Sequence, residues 1–243
     1  MVAPVNTSSI TTSAASGDGA VAAGKVRVWD LPTRLFHWLL ALAITGSVVT
    51  GTIGGAAMTW HFRLGQLVLA LLVFRLIWGL VGGHWSRFGN FIYAPTTLVR
   101  YLRGGARTGE HLDVGHSPLG AGSVFAMLVL LAVQVGTGLV ADDEIANVGP
   151  LNKFVETSTG LAATAWHKNF GEAIILVLVA LHVLAIAYYR VRKKRDLIGP
   201  MLSGDKALPA DVPASRDDAR TRALALVLAL AAAGLSVWVM RLG

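Results

Sequence analysis

The stretch WHKNFGEAIILVLVALHV, residues 166–183, decides the fold. It is a long apolar run that carries two histidines, His167 and His182, fifteen residues apart. An α-helix rises about 1.5 Å and turns about 100° per residue, so the two side chains lie about 22 Å apart along the axis and about 60° apart around it. One helix therefore offers a histidine near each end of a membrane span.

The whole chain has the composition of a membrane protein. Of its 243 residues, 54% are hydrophobic and 14% are charged, whereas a soluble domain has about 25% charged residues. The charges gather between apolar runs, a pattern that excludes a soluble enzyme domain, a disordered chain and a nucleic-acid-binding module. The net charge of +7 reflects basic residues that orient membrane spans. The absence of cysteine excludes thiolate ligands, so any metal chemistry must use histidine.

Five apolar stretches have about the 20 residues that cross a hydrocarbon core. They lack the alternation of barrel strands, and only helices satisfy so much backbone in lipid. We therefore predict an all-α membrane protein, with a four-helix transmembrane bundle and a fifth, C-terminal transmembrane helix. The predicted spans are 35–55, 62–82, 119–140, 168–189 and 223–240.

The links between these spans alternate in charge. They are basic at 25–34, 87–107 and 190–195, neutral at 52–60 and acidic at 142–156. Basic loops remain on the cytoplasmic side of a membrane. We therefore expect a multi-pass protein of a bacterial inner membrane, with the N-terminus in the cytoplasm and the C-terminus in the periplasm.

The same patterns divide the chain into four parts. We expect a disordered tail at 1–24, a transmembrane domain at 25–200, a cytoplasmic linker at 201–222 and a C-terminal transmembrane helix at 223–243. Two links have helical character of their own. Residues 94–103 carry leucines and a tyrosine opposite arginines, which predicts a short helix in the membrane interface, and a weaker pattern at 151–164 predicts another.

Four histidines lie at two matched membrane depths. His37 begins the first span on the inner side, level with His182, and His61 begins the second span on the outer side, level with His167. We call His37 and His182 the inner pair, and His61 and His167 the outer pair. Any single histidine in lipid can be a hydrogen-bonded packing residue, but four at matched depths favour function. Paired imidazoles suit a six-coordinate haem.

Other residues near the pairs have two interpretations each. Gly51, Gly65 and Gly171 share faces with the histidines and make room for a cofactor, or they serve ordinary helix packing. Arg75 faces the same interior, where it suits a haem propionate; the alternative is extension to the headgroups. His116 opens the third span, where it hydrogen-bonds a quinone carbonyl or a propionate, or merely occupies a polar helix start.

Five motifs occur in a fixed order along the chain. They are VWDLPTRLFHW (28–38), HFRLGQLVLALLVFRLIWGLVG (61–82), GHSPLGA (115–121), WHKNFGEAIILVLVALHV (166–183) and DLIGPMLSGDKALP (196–209). This set resembles the bacterial di-haem cytochrome b561 family and the related b-type cytochrome subunits of nickel–iron hydrogenases. The resemblance implies a four-helix haem-binding core with four ligands, His37, His61, His167 and His182. The fifth span departs from that core.

We therefore expect two haem b groups that transfer electrons across the membrane. The expected partners are membrane lipid, a quinone (ubiquinone or menaquinone) and a c-type cytochrome or other periplasmic redox subunit, with no nucleic acid. Three alternatives remain open: a stand-alone quinone oxidoreductase using a small oxidant such as superoxide, a non-redox membrane anchor, and a transporter. A transporter needs polar or broken helices near the midplane, and Gln134 is almost the only polar residue there.

Overall fold

The computed structural model describes residues 24–105, 107, 110–209 and 211–243. In this part of the chain, five helices are long and apolar enough to cross a membrane, which confirms the predicted all-α membrane class. The helices are α1 (Leu31–Ile53), α2 (Met58–Val81), α3 (Pro95–Leu102), α4 (Pro118–Val140), α5 (Thr157–Ala165), α6 (Glu172–Val191), α7 (Ile198–Ser203) and α8 (Ala219–Met240). Two short strands, β1 (Gly24–Arg27) and β2 (Asp205–Leu208), complete the fold. Residues 1–23 of the predicted tail lie outside the described residues, and Gly24 begins β1.

The helix starts follow local capping signals. The side chains of Asp30, Ser117 and Asp218 accept hydrogen bonds from backbone N–H groups in the first turns of α1, α4 and α8. Such caps satisfy donors that have no partner inside the helix. Because Asp30 and Asp218 cap ahead of the apolar runs, α1 and α8 each begin four residues before the predicted spans.

Helix α2 is the central helix of the bundle and packs closely against both α1 and α8. The fifth span is therefore part of the bundle. Its buried face consists of small residues, Ala225, Ala232 and Ser236, which permit close approach of two helices in lipid. The hydroxyl of Ser236 donates to the main-chain oxygen of Gln66 over 2.8 Å. On the other side of the bundle, α6 packs against α4.

In its described residues, 201–209 and 211–222, the segment expected as a linker is instead folded against the start of the chain. Strand β2 pairs antiparallel with β1, and Arg27 forms ion pairs with Asp205 and Asp217. The hydroxyl of Ser215 donates to the main-chain oxygen of Val28 over 2.7 Å. These contacts join residues 178 to 190 positions apart, beyond the reach of local sequence patterns.

A buried polar network lies where α1 and α2 meet this folded segment. The Asp30 carboxylate is fully buried and accepts hydrogen bonds from the Thr33 backbone N–H (2.8 Å), the Trp78 indole (3.1 Å) and the Ser86 hydroxyl (2.6 Å). Arg75 donates from Nη1 to the main-chain oxygen of Ser86 over 3.1 Å. We call these five residues the Asp30 network.

We expect Asp30→Ala to destabilise the protein by about 3 kcal/mol, because two buried side-chain donors lose their acceptor and Arg75 loses a buried counter-charge. Asp218→Ala is the matched control: it also removes an N-cap, but an exposed one, and should cost about 1 kcal/mol. Denaturant unfolding in detergent measures both. Equal losses for the two variants would show that Asp30 acts only as a helix cap.

Candidate functional site

The outer pair joins α2 to a π-helical turn, Trp166–Gly171, which connects α5 to α6. The ring centroids of His61 and His167 lie 5.9 Å apart. His61 Nδ1 lies 2.9 Å from the main-chain oxygen of Ser47, and His167 Nδ1 lies 2.9 Å from that of Gln134. Since a carbonyl oxygen only accepts, each Nδ1 carries the proton. Each Nε2 is therefore left with a free lone pair, as in a metal-ligating histidine.

The inner pair joins α1 to α6. The ring centroids of His37 and His182 lie 6.3 Å apart, and the Trp38 ring lies perpendicular to that of His37 at 5.0 Å between centroids. In the described part of the chain, His37 Nδ1 is buried with no hydrogen-bond partner. The two pairs thus have similar spacing and different support: carbonyl oxygens hold both outer rings, whereas the His37 nitrogen is left free.

The ring spacing fits one metal ion between each pair of imidazoles. With metal–nitrogen bonds of about 2 Å on opposite sides of one ion, the ring centroids lie about 6 Å apart. Both pairs match this value. Among the described residues, no three histidine or acidic side chains gather as a metal site. Two facing imidazoles at this spacing suit an iron whose other four ligands come from a haem.

A cavity of about 500 Å³ surrounds the outer pair. This volume is in the range of cofactor sites. Two of the predicted glycines, Gly51 and Gly65, line it. A Cβ at Gly51 would lie 3.1 Å from His61 Nδ1, whereas a Cβ at Gly65 would meet nothing within 4 Å. Gly51 therefore gives room to a histidine ring, and Gly65 leaves open space in the cavity wall.

The third predicted glycine, Gly171, has another neighbour. A Cβ there would overlap Oε1 of Gln134, so Gly171 makes room for an amide from α4. Gly138, which the sequence reasoning missed, lies against the His167 ring: its Cβ would be 2.9 Å from Cε1. The only sequence feature that points to Gly138 is its position near the outer end of the third span.

Arg75 lies inside the bundle, and only 3% of its surface is exposed. Its guanidinium stacks over the Phe88 ring at 4.6 Å and more distantly over Phe36. The side chain therefore does not extend to the headgroups. It brings a positive charge to the end of the bundle that holds the inner pair, as the sequence reasoning expected.

His116 is buried between aromatic rings just before α4. Its ring lies 4.8 Å from that of Trp29 and 4.4 Å from that of Phe91, and Nδ1 has no partner among the described residues. Burial, with further contributions from Arg75 and His37, lowers the pKa of His116 to about 3. The imidazole is therefore neutral at physiological pH and can donate or accept one hydrogen bond.

The site and fold together define a multi-helix membrane protein with facing histidine pairs, the arrangement of a haem-binding membrane cytochrome. The chain belongs to the prokaryotic cytochrome b561 family, whose model matches residues 28–204. It is thus a multi-pass membrane protein that transfers electrons through b-type haem.

Several relatives are similar along most of their length. The chain is 25% identical over 225 residues to a probable Ni/Fe-hydrogenase B-type cytochrome subunit of Bradyrhizobium diazoefficiens, covering 79% of this chain and 90% of the relative. A protein of the same name from Rhizobium leguminosarum bv. viciae is 25% identical over 233 residues (79% and 93%). The probable Ni/Fe-hydrogenase 1 B-type cytochrome subunit of Escherichia coli K12 is 22% identical over 211 residues (73% and 88%). No solved structure gave a significant match.

Gly138→Val should lower the haem content of the purified protein. The added side chain meets the His167 ring, and such overpacking costs about 1–3 kcal/mol. Gly136→Val is the control, because a Cβ at Gly136 on the same helix would meet nothing within 4 Å. The reduced-minus-oxidised absorbance per chain measures the difference. The same haem content in both variants would refute the role assigned to Gly138.

Proposed function

We propose that the chain holds two haem b groups and carries electrons across the membrane between a quinone pool and a redox partner. His61 and His167 are the proposed axial ligands of the outer haem, and His37 and His182 those of the inner haem. The observation that carries this proposal is the spacing of the rings, 5.9 and 6.3 Å, at two depths of one bundle.

Haem b, when bound, supplies reversible one-electron chemistry. The residues of the chain hold it and set its properties through ligand orientation, hydrogen bonding and burial. At the outer pair, the main-chain oxygens of Ser47 and Gln134 fix both ring tautomers. The cavity wall at Gly51 and Gly65 keeps space beside the rings.

We assign Arg75 and His116 to the inner end of the electron path. The buried guanidinium of Arg75 is a suitable partner for a haem propionate. His116 has a buried Nδ1 without a partner in the described chain, and its neutral ring can hydrogen-bond a quinone carbonyl. Ubiquinone and menaquinone both offer such a carbonyl. These two residues thus favour quinone chemistry near the inner pair.

The charge of the links supports an orientation in a bacterial inner membrane. The basic segments at 25–34, 87–107 and 190–195 would face the cytoplasm, and the acidic link at 142–156 the periplasm. We therefore propose a cytoplasmic N-terminus, a periplasmic C-terminus and an electron partner on the outer side. A c-type cytochrome or another periplasmic redox subunit fits that position. The names of the relatives make a Ni/Fe-hydrogenase a specific candidate.

A pyridine haemochrome assay on the purified protein tests the haem count, and single-ligand variants test the pairing. The unsubstituted chain should contain two b haems. His182→Ala should remove the inner haem and keep the outer one, whereas His61→Ala should do the reverse. One haem remains in each variant, and its reduction potential, recorded by optical titration, shows whether the two variants keep different haems.

Three outcomes of this experiment would contradict the proposal. One haem in the unsubstituted chain would refute the count of two, and no haem in folded protein made with adequate haem supply would refute cofactor binding altogether. The same haem lost in both variants would refute the pairing.

Arg75→Leu should lower the reduction potential of the inner haem, because loss of a nearby positive charge favours the ferric state. Arg75→Lys keeps the charge and should restore most of the potential. An optical redox titration of both variants measures the effect, with the outer haem as internal reference. An inner potential that is the same in all three proteins would refute the role of Arg75.

A further inference from the structure

The turn that carries His167 departs from regular α-helical geometry. Residues Trp166–Gly171 form a π-helical turn between α5 and α6. Such turns add a residue to one helical turn, change the direction of the side chains that follow, and concentrate at functional sites. The direction of the His167 ring therefore depends on the contacts that stabilise the π-helical turn.

Gln134 of α4 contacts His167 at both its ring and its backbone. The main-chain oxygen of Gln134 accepts the hydrogen bond from His167 Nδ1 (2.9 Å). The side-chain Nε2 of Gln134 donates to the main-chain oxygen of His167 (2.8 Å). One residue of the neighbouring helix thus holds both the tautomer of the imidazole and the backbone from which the ring projects.

The far end of the same amide is enclosed within the turn. Among the described residues, Oε1 of Gln134 and Nε1 of Trp166 are both buried without a partner. Both atoms lie close to Gly171, where a Cβ would overlap the oxygen and lie 3.0 Å from the nitrogen. Gly171 therefore keeps the space that the amide fills, and an acceptor and a donor converge there.

We propose that Gln134 is a positioning residue that sets the orientation of His167 and thereby the properties of the outer haem. The inference rests on the proposed function, since it takes His167 as an axial ligand. Among the described residues, His37 Nδ1 of the inner pair has no hydrogen-bond partner. Both hydrogen bonds of Gln134 described above are with His167 of the outer pair, so we expect a change at Gln134 to act on the outer haem.

The test is Gln134→Leu, which removes the amide and keeps a side chain of similar size. The paramagnetic resonance signal of a low-spin ferric haem depends on the relative orientation of its two imidazoles. We expect a shift in the outer-haem signal and in its reduction potential, with the inner haem unchanged. The two signals are assigned from His182→Ala, which retains the outer haem only. Selective loss of the outer haem in Gln134→Leu would also support the proposal.

Two further variants make this test decisive. Asn90→Leu is the matched control, because the exposed Asn90 amide likewise donates to a histidine main-chain oxygen, that of His84 (2.6 Å), in the link between α2 and α3. It should leave both haems unchanged. Gly171→Ala displaces the Gln134 amide without altering Gln134 and should reproduce the outer-haem shift. If Gln134→Leu fails to fold, Gly171→Ala still tests the proposal.

Unchanged outer-haem signals and potentials in the folded Gln134 and Gly171 variants would overturn the inference, and so would equal changes in both haems. These results can be distinguished from a failure of the proposed function itself. In that case the unsubstituted chain itself would lack two haems.

Discussion

Two imidazoles can share one iron only when their helices hold the rings about 6 Å apart, and this bundle brings two pairs to that spacing. The requirement falls on helices that are distant in sequence: α1 and α6 for the inner pair, and α2 and the π-helical turn before α6 for the outer pair. In lipid, no hydrophobic effect drives the helices together. Close packing and hydrogen bonds must therefore fix the positions of the rings.

The two ends of the bundle achieve this in different ways. At the outer pair, backbone carbonyls of Ser47 and Gln134 hold the rings directly. At the inner end, the buried carboxylate of Asp30 and the guanidinium of Arg75 are linked through Ser86. The outer pair is therefore supported by neutral backbone groups, whereas the inner end contains two buried charged groups. The electrostatic surroundings of the two pairs differ. Proposed haems in these surroundings have a physical basis for different potentials.

Much of this architecture was accessible from the sequence because it depends on local periodicity. Five apolar runs predicted five membrane helices, and the helical rise by itself assigned His167 and His182 to two membrane depths. The structure brings these two residues face to face with His61 and His37. Their role as ligands stays a prediction. Arg75 was also placed correctly in the interior.

The rest depends on contacts that have no local signal. The pairing of β1 with β2 joins two strands about 180 positions apart. Each strand has only four residues, too few for a recognisable pattern. Local patterns therefore predict only a linker at 201–222. Asp30 was visible only as part of a motif, since its partners Trp78 and Ser86 come from another helix and a loop. The π-helical turn is hydrogen-bonded to Gln134, which lies 33 residues away from His167.

The fifth helix completes the explanation of how the pairs are held. Helix α8 covers one face of α2 while α1 covers another, and the folded segment before α8 is tied to β1. These contacts make α1, α2 and α8 one tightly packed group, whereas α4, α5 and α6 form a second. Each histidine pair has one ring in each group. A cofactor bound between the rings therefore joins the two groups, and its binding free energy adds to the stability of the folded bundle.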